Sequence, residues 1–202
     1  MRAALVSSLL VCALCVSALP AAEPAHDHAV ATAAHAGSVA GLYTAADLQF
    51  LSHMIVHHQQ ALELCALVPL RSAREEFHRY ARYLNDAQQA EIDQMLGLLH
   101  QAAERGAQIP PEHLHGDPPM TGMLSKAQME AIAAARGTAF EQLWLKGMIY
   151  HHQGAVGMGL AQQEAQFNSG HQPWGVDVLV DDMLAVQRGE IGKMNAWLVE
   201  WR

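Results

Sequence analysis

FLSHMIVHHQQALELC, residues 50–65, is said a second time as LKGMIYHHQGAVGMG, residues 145–159. Met-Ile-x-His-His-Gln-x-Ala is intact in both: Met54, Ile55, His57, His58, Gln59 and Ala61 return as Met148, Ile149, His151, His152, Gln153 and Ala155. A second echo follows each copy, where Gln88, Glu91, Ile92 and Met95 match Gln187, Glu190, Ile191 and Met194. Each half thus holds a His/Met segment and then a Gln/Glu/Met segment, and the fold has to bring these four segments together.

Working outward, the apolar spacing around both motifs is helical. Leu48, Leu51, Ile55, His58, Leu62 and Cys65 recur on one face, with Phe50, Met54, His57 and Ala61 beside them. Thr44 and Asp47 form an imperfect capping box at the start of this first helix, and Pro69 is expected to end it. A second helix is expected from about Ser72 to Arg105, stopped by Gly106, with Phe77, Ala81, Leu84, Gln88, Glu91, Met95 and Leu98 inward. A proline-rich connection follows, carrying His113, His115, Met120 and Met123. Ser125 and Gln128 cap a short helix that Gly137 breaks, and Thr138 with Glu141 is expected to open the third long helix. Its inner face is Phe140, Trp144, Met148, His151, Ala155 and Met158, with His152 alongside. After a loop at 168–175 the fourth helix turns Leu179, Met183, Gln187, Glu190, Met194 and Trp197 inward. Two hairpins with matching contents, neither able to bury its own apolar face, predict an all-α four-helix bundle built by duplication. The bundle should span 44–202, with hairpins over about 44–106 and 138–202 and a linker with a short helix over 107–137.

Composition agrees. Ala, Leu, Met and Gln are plentiful and β-branched and aromatic residues scarce, which favours helix. A net charge of -8 argues against a nucleic-acid binder that neutralises phosphates. The unusual numbers are 13 His and 10 Met against 12 Lys plus Arg, a balance of imidazole and thioether that points to soft or borderline metals such as copper. Residues 1–22, a short positive start followed by an apolar run and small residues, read as a secretory signal peptide. Its removal leaves Cys65 without a partner for an internal disulfide and no span long enough for a membrane. Export to a bacterial periplasm or the medium is expected. Residues 23–43, with His26, His28 and His35, read as a disordered arm.

On a helix, side chains four apart stand one above the other, so Met54 lies beside His58 and Met148 beside His152. The two copies share Met54, His57, His58 and Met148, His151, His152, with Glu91, Met95, Glu190 and Met194 as flanking ligands or orienting partners. His53, whose counterpart is Gly147, belongs to the first copy alone; Met158, whose counterpart is Leu64, belongs to the second. A methionine at helical spacing is as a rule core filler, and a lone inward histidine is as a rule hydrogen-bonded. Four buried imidazoles facing two carboxylates are different, because their burial costs several kcal/mol unless they are paired or metallated. A di-iron site would need more carboxylates; Glu75–His78 has the Glu-x-x-His spacing but lies off the inner stripe. Cys65 has no charged neighbour that would make it a nucleophile.

The motif Met-Ile-x-His-His-x-x-Ala resembles the family known as domain of unknown function 305. So do Gly137-x-x-Phe140 before the second copy, Gln187-x-x-Glu190-Ile191-x-x-Met194-x-x-Trp197-Leu198 after it, and Met120-Thr-Gly-Met123-Leu-Ser125. The likeness runs from about Ala45 to Trp201. It implies a ferritin-like bundle, mostly exported and bacterial, some of whose members are periplasmic copper-binding proteins of copper resistance that use Met and His. Where that family often carries a Met after the first His-His pair this chain has Leu64. The leading expectation is therefore a metal-binding protein, for copper or another transition metal, that sequesters the ion or hands it to another periplasmic copper-handling protein. A ferritin-like metal-dependent oxidoreductase and a helical interaction module with a hydrogen-bonded His/Glu core are the alternatives.

Overall fold

The computed structural model describes residues 42–110, 120–171 and 175–201. The expected signal peptide and the arm as far as residue 41, with His26, His28 and His35, lie outside the described residues, as do His113 and His115. The elements are helices: α1 Ala45–Arg71, α2 Glu75–Glu104, α3 Lys126–Ala134, α4 Gly137–Ser169 and α5 Val176–Glu200.

Caps account for several of the boundaries. Thr44 accepts from the Asp47 amide while the Asp47 side chain takes the Thr44 amide, a reciprocal box that opens α1. Ser125 and Gln128 do the same for α3. Two expectations need correction. Pro69 does not end the first helix; it sits in the last turn, and α1 runs on to Arg71. A proline near a C-terminus removes a single amide, and the Ser72 amide still reaches the Val68 carbonyl. Nor do Thr138 and Glu141 cap α4, which starts at Gly137 without a side-chain cap. Glu141 is instead claimed by another element: it accepts from Ser72 Oγ at 2.5 Å and from Arg74.

α1 packs on α2, α4 on α5, and the two histidine helices α1 and α4 on each other, while α3 lies against α4. The core falls into two apolar clusters. One is aromatic, with Phe77, Phe140, Trp144, Trp197 and Trp201 among its members. The other is aliphatic, with Leu51, Ile55, Leu98, Leu179, Val180 and Met183. α1 passes from the aliphatic to the aromatic cluster and α2 returns; α4 starts at the aromatic end and α5 comes back to it. The chain therefore has to cross the length of the bundle between α2 and α4, the single long crossover of a ferritin-like fold.

Candidate metal centre

Between the two clusters each long helix contributes polar residues, so the bundle has a buried polar layer at its middle. His57, His58, His151 and His152 are all at most 1% exposed, and Gln88, Gln187 and Glu190 are buried with them. His58 Nε2 lies 2.5 Å from Glu91 Oε2, and His152 Nε2 lies 2.9 Å from Glu190 Oε2. Each of these bonds is internal to one hairpin, and the two are related by the duplication. Where the hairpins meet, the His57 and His151 rings lie with centroids 3.7 Å apart. His151 Nε2 is 2.9 Å from the His57 carbonyl oxygen, and His57 Nε2 is 3.2 Å from the Thr121 carbonyl oxygen.

All four partners only accept hydrogen bonds, so every Nε2 must carry the proton. Burial, followed by repulsion from His58, pushes the His57 pKa down to about 3. Burial and then His57 push that of His151 well below its usual value. These two rings are therefore neutral, with an Nδ1 lone pair. The Nδ1 atoms of all four histidines are buried without a hydrogen-bond partner, together with Gln88 Oε1, Glu190 Oε1 and both amide atoms of Gln187. Buried polar atoms are nearly always satisfied, so eight orphans in one layer demand an account. A neutral imidazole held by carboxylate or carbonyl at one nitrogen and bare at the other is the form in which histidine ligates metals.

Of the other expected ligands, Met54 and Met95 pack in the aliphatic cluster and Met148 and Met194 in the aromatic one. All four are fully buried and border the layer from either side. His53 and Met158 lie apart from it, together in an open pocket lined by α1 and α4. Among the described residues no three His, Cys, Asp or Glu side chains converge closely enough to hold an ion. A metal would have to be satisfied with fewer of these ligands or recruit a thioether. Cys65 is buried, and its thiol pKa is pushed up to about 12 by burial and then by Glu190, so it is no nucleophile. Glu190 forms part of the wall of a groove of about 720 Å³ between α2 and α5, with Tyr80, Tyr83 and Lys193.

Sequence reasoning missed how the crossover reaches the layer. Gln60 clamps it, donating to the Leu124 carbonyl at 2.9 Å and accepting from the Leu124 amide at 2.8 Å. At the equivalent place in the second copy stands Gly154, where a Cβ would come within 2.2 Å of the Thr121 oxygen. One copy grips the crossover and the other makes room for it. Gly122, at φ 85, touches Gly154 and lets the turn present Thr121 to His57. The only advance signal was the Met-Thr-Gly-Met motif itself.

The chain matches the family described as domain of unknown function (DUF305) over residues 47–201. It belongs to the DUF305 family. A DUF305 protein from Streptomyces coelicolor is 30% identical, with a TM-score of 0.65 over 77% of this chain and 93% of that one. A DUF305 fragment from Deinococcus radiodurans is 32% identical, with a TM-score of 0.64 over 78% and 97%. CopM in its Cu(I)-bound form is 25% identical, with a TM-score of 0.59 over 77% of this chain and 96% of CopM. No curated protein matches the sequence. These relatives agree with the helical bundle expected of this DUF305 chain. Among its described residues, no helix is long and apolar enough to cross a membrane.

Proposed function

We propose that this DUF305 protein binds copper, as Cu(I), in the polar layer, and stores the ion or hands it to another periplasmic protein without catalysing a reaction. The observation that carries the reading is the set of four orphaned Nδ1 atoms on histidines whose Nε2 atoms are already held. Soft thioethers border the layer, and imidazole with thioether selects copper over harder ions. Cu(I) also tolerates low coordination numbers, which suits a layer where three charged or imidazole ligands do not converge. The likeness to CopM, whose Cu(I)-bound form shares this fold, supports the same class of ion. The amino-terminal sequence supports export.

His57, His58, His151 and His152 offer the imidazole ligands, no three of them to one ion, and Met54 and Met148 offer thioethers; Met95 and Met194 complete the border. Glu91 and Glu190 orient His58 and His152. Metal-free protein titrated with Cu(I) against a competing chelator tests this. Glu190→Gln keeps the shape but weakens the bond to His152, and an affinity loss of roughly 10–100-fold is expected. Unchanged copper stoichiometry after replacing both His-His pairs by Ala would sink the reading. An iron oxidase is disfavoured by the placement of the Glu-x-x-His motif in α2: His78 Nε2 is tied to the Ser72 carbonyl at 2.7 Å, and Glu75 is exposed.

A further inference from the structure

His53 and Met158 are the two places where the duplicated segments disagree in ligand chemistry: His53 corresponds to Gly147, and Met158 to Leu64. In the fold these two disagreements meet. His53 on α1 and Met158 on α4 line one open pocket of about 270 Å³, shared with Gln49 and Gln162. Both side chains are part-exposed. The duplication should produce the same groove between α1 and α4 at the other end of the bundle, beside Gly147 and Leu64. There it is filled. A Cβ on Gly147 would lie 3.0 Å from Ile132 and 3.2 Å from Leu124, and Leu64 is fully buried in the aromatic cluster with both. The crossover and α3 occupy that groove, and only small or apolar residues fit beneath them. Among the described residues its twin is lined by α1 and α4, and there the chain carries an imidazole and a thioether.

We infer that His53 and Met158 form a second site, facing solvent, for a soft monovalent ion such as Cu(I) or Ag(I). Imidazole nitrogen and thioether sulfur together suit such an ion, whereas Ca(II) and Mg(II) take oxygen ligands. His53 stands one helical turn before His57 on α1, so the pocket lies one turn along that helix from the buried layer. The inference rests on the copper reading for the class of ion, and its ligands are separate from those of the layer.

The test uses Ag(I), which is redox-inert, and the methyl resonances of 13C-labelled methionine in the whole protein. The expected result is a saturable shift of the Met158 methyl, identified by its loss in Met158→Leu. His53→Gln should abolish that shift and remove one equivalent of Ag(I), while leaving the fold intact because both positions are part-exposed. Replacing His58 and His152 by Gln should leave the Met158 shift in place even where binding in the layer is lost. A Met158 resonance indifferent to Ag(I), or a shift that survives His53→Gln, overturns the second site whatever the layer does. A Met158 shift with no other response would instead overturn the proposed function alone.

Discussion

At the scale of single residues, the partners of the four histidines decide their chemistry. Carbonyl and carboxylate oxygens hold the Nε2 protons and leave the Nδ1 atoms without a partner, and burial keeps His57 and His151 from charging, so that their Nδ1 atoms are free lone pairs. The pH dependence of the metal-free protein follows. In the unfolded chain these rings titrate near 6.5, whereas in the folded protein His57 does so near 3. Between those values the unfolded state binds the extra proton. Stability is therefore complete above the unfolded pKa and falls as pH drops through that window, by about 1.4 kcal/mol per pH unit for each suppressed histidine. Urea denaturation at pH 7.5, 5.5 and 4.5 measures this, and His57→Asn should flatten the slope. Cys65 makes the opposite prediction about reactivity. With its pKa near 12 the thiol should resist alkylation at pH 8 in the native protein and react at once in urea. Rapid native labelling would contradict its burial.

At the scale of elements, the crossover is held on α1 and α4 by contacts that admit no extra atom. Gly154→Ala would drive a Cβ into backbone, 2.2 Å from the Thr121 oxygen and 2.4 Å from the Gly122 Cα. Helix propensity favours alanine by about 1 kcal/mol, but overpacking against backbone costs roughly 1–3 kcal/mol. The sum should be destabilising, and the bond from His57 to Thr121 should go with it. Gly157→Ala, one turn away on the same helix with nothing within 4 Å of its Cβ, should stabilise by about 0.5–1 kcal/mol. Urea midpoints of the two variants should therefore move in opposite directions. These contacts also show where the sequence was legible and where it was not. Helical spacing, the boxes at Thr44 and Ser125 and the repeated His-His and Gln/Glu motifs were enough to place four long helices and a polar layer between them. The pairing of Gln60 with Leu124, and of Gly154 with Gly122, depends on the path of a connection that has no period of its own. Aligned to each other, Gln60 and Gly154 look like mere divergence. Glu141 misled for a similar reason: its spacing from Thr138 suits a cap, but Arg74 and Ser72, far away in sequence, hold it instead.

At the scale of the molecule, two apolar clusters support the bundle and a layer of unpaired polar atoms divides them. A bundle selected for stability alone would do better with an apolar layer, since exchanging a buried polar pair for well-packed apolar residues is often neutral or stabilising by about 1–4 kcal/mol. The layer is thus a cost that a ligand can offset. An ion that binds only the folded state at a hundred times its Kd adds about 2.7 kcal/mol. For a domain of this size that corresponds to a rise in Tm of roughly 5–10 °C. Thermal unfolding followed by circular dichroism, with and without Cu(I) under reducing conditions, should show that rise in the native sequence. The double variant His152→Leu with Glu190→Leu separates the explanations, because it removes one Nδ1 and its orienting carboxylate together and leaves no buried charge behind. If the layer exists to hold copper, the variant should unfold at or above the metal-free native temperature and respond less to Cu(I). If the layer only hydrogen-bonds, copper should move neither protein, and an unmoved native Tm at saturating Cu(I) would refute the metal-binding role of the layer.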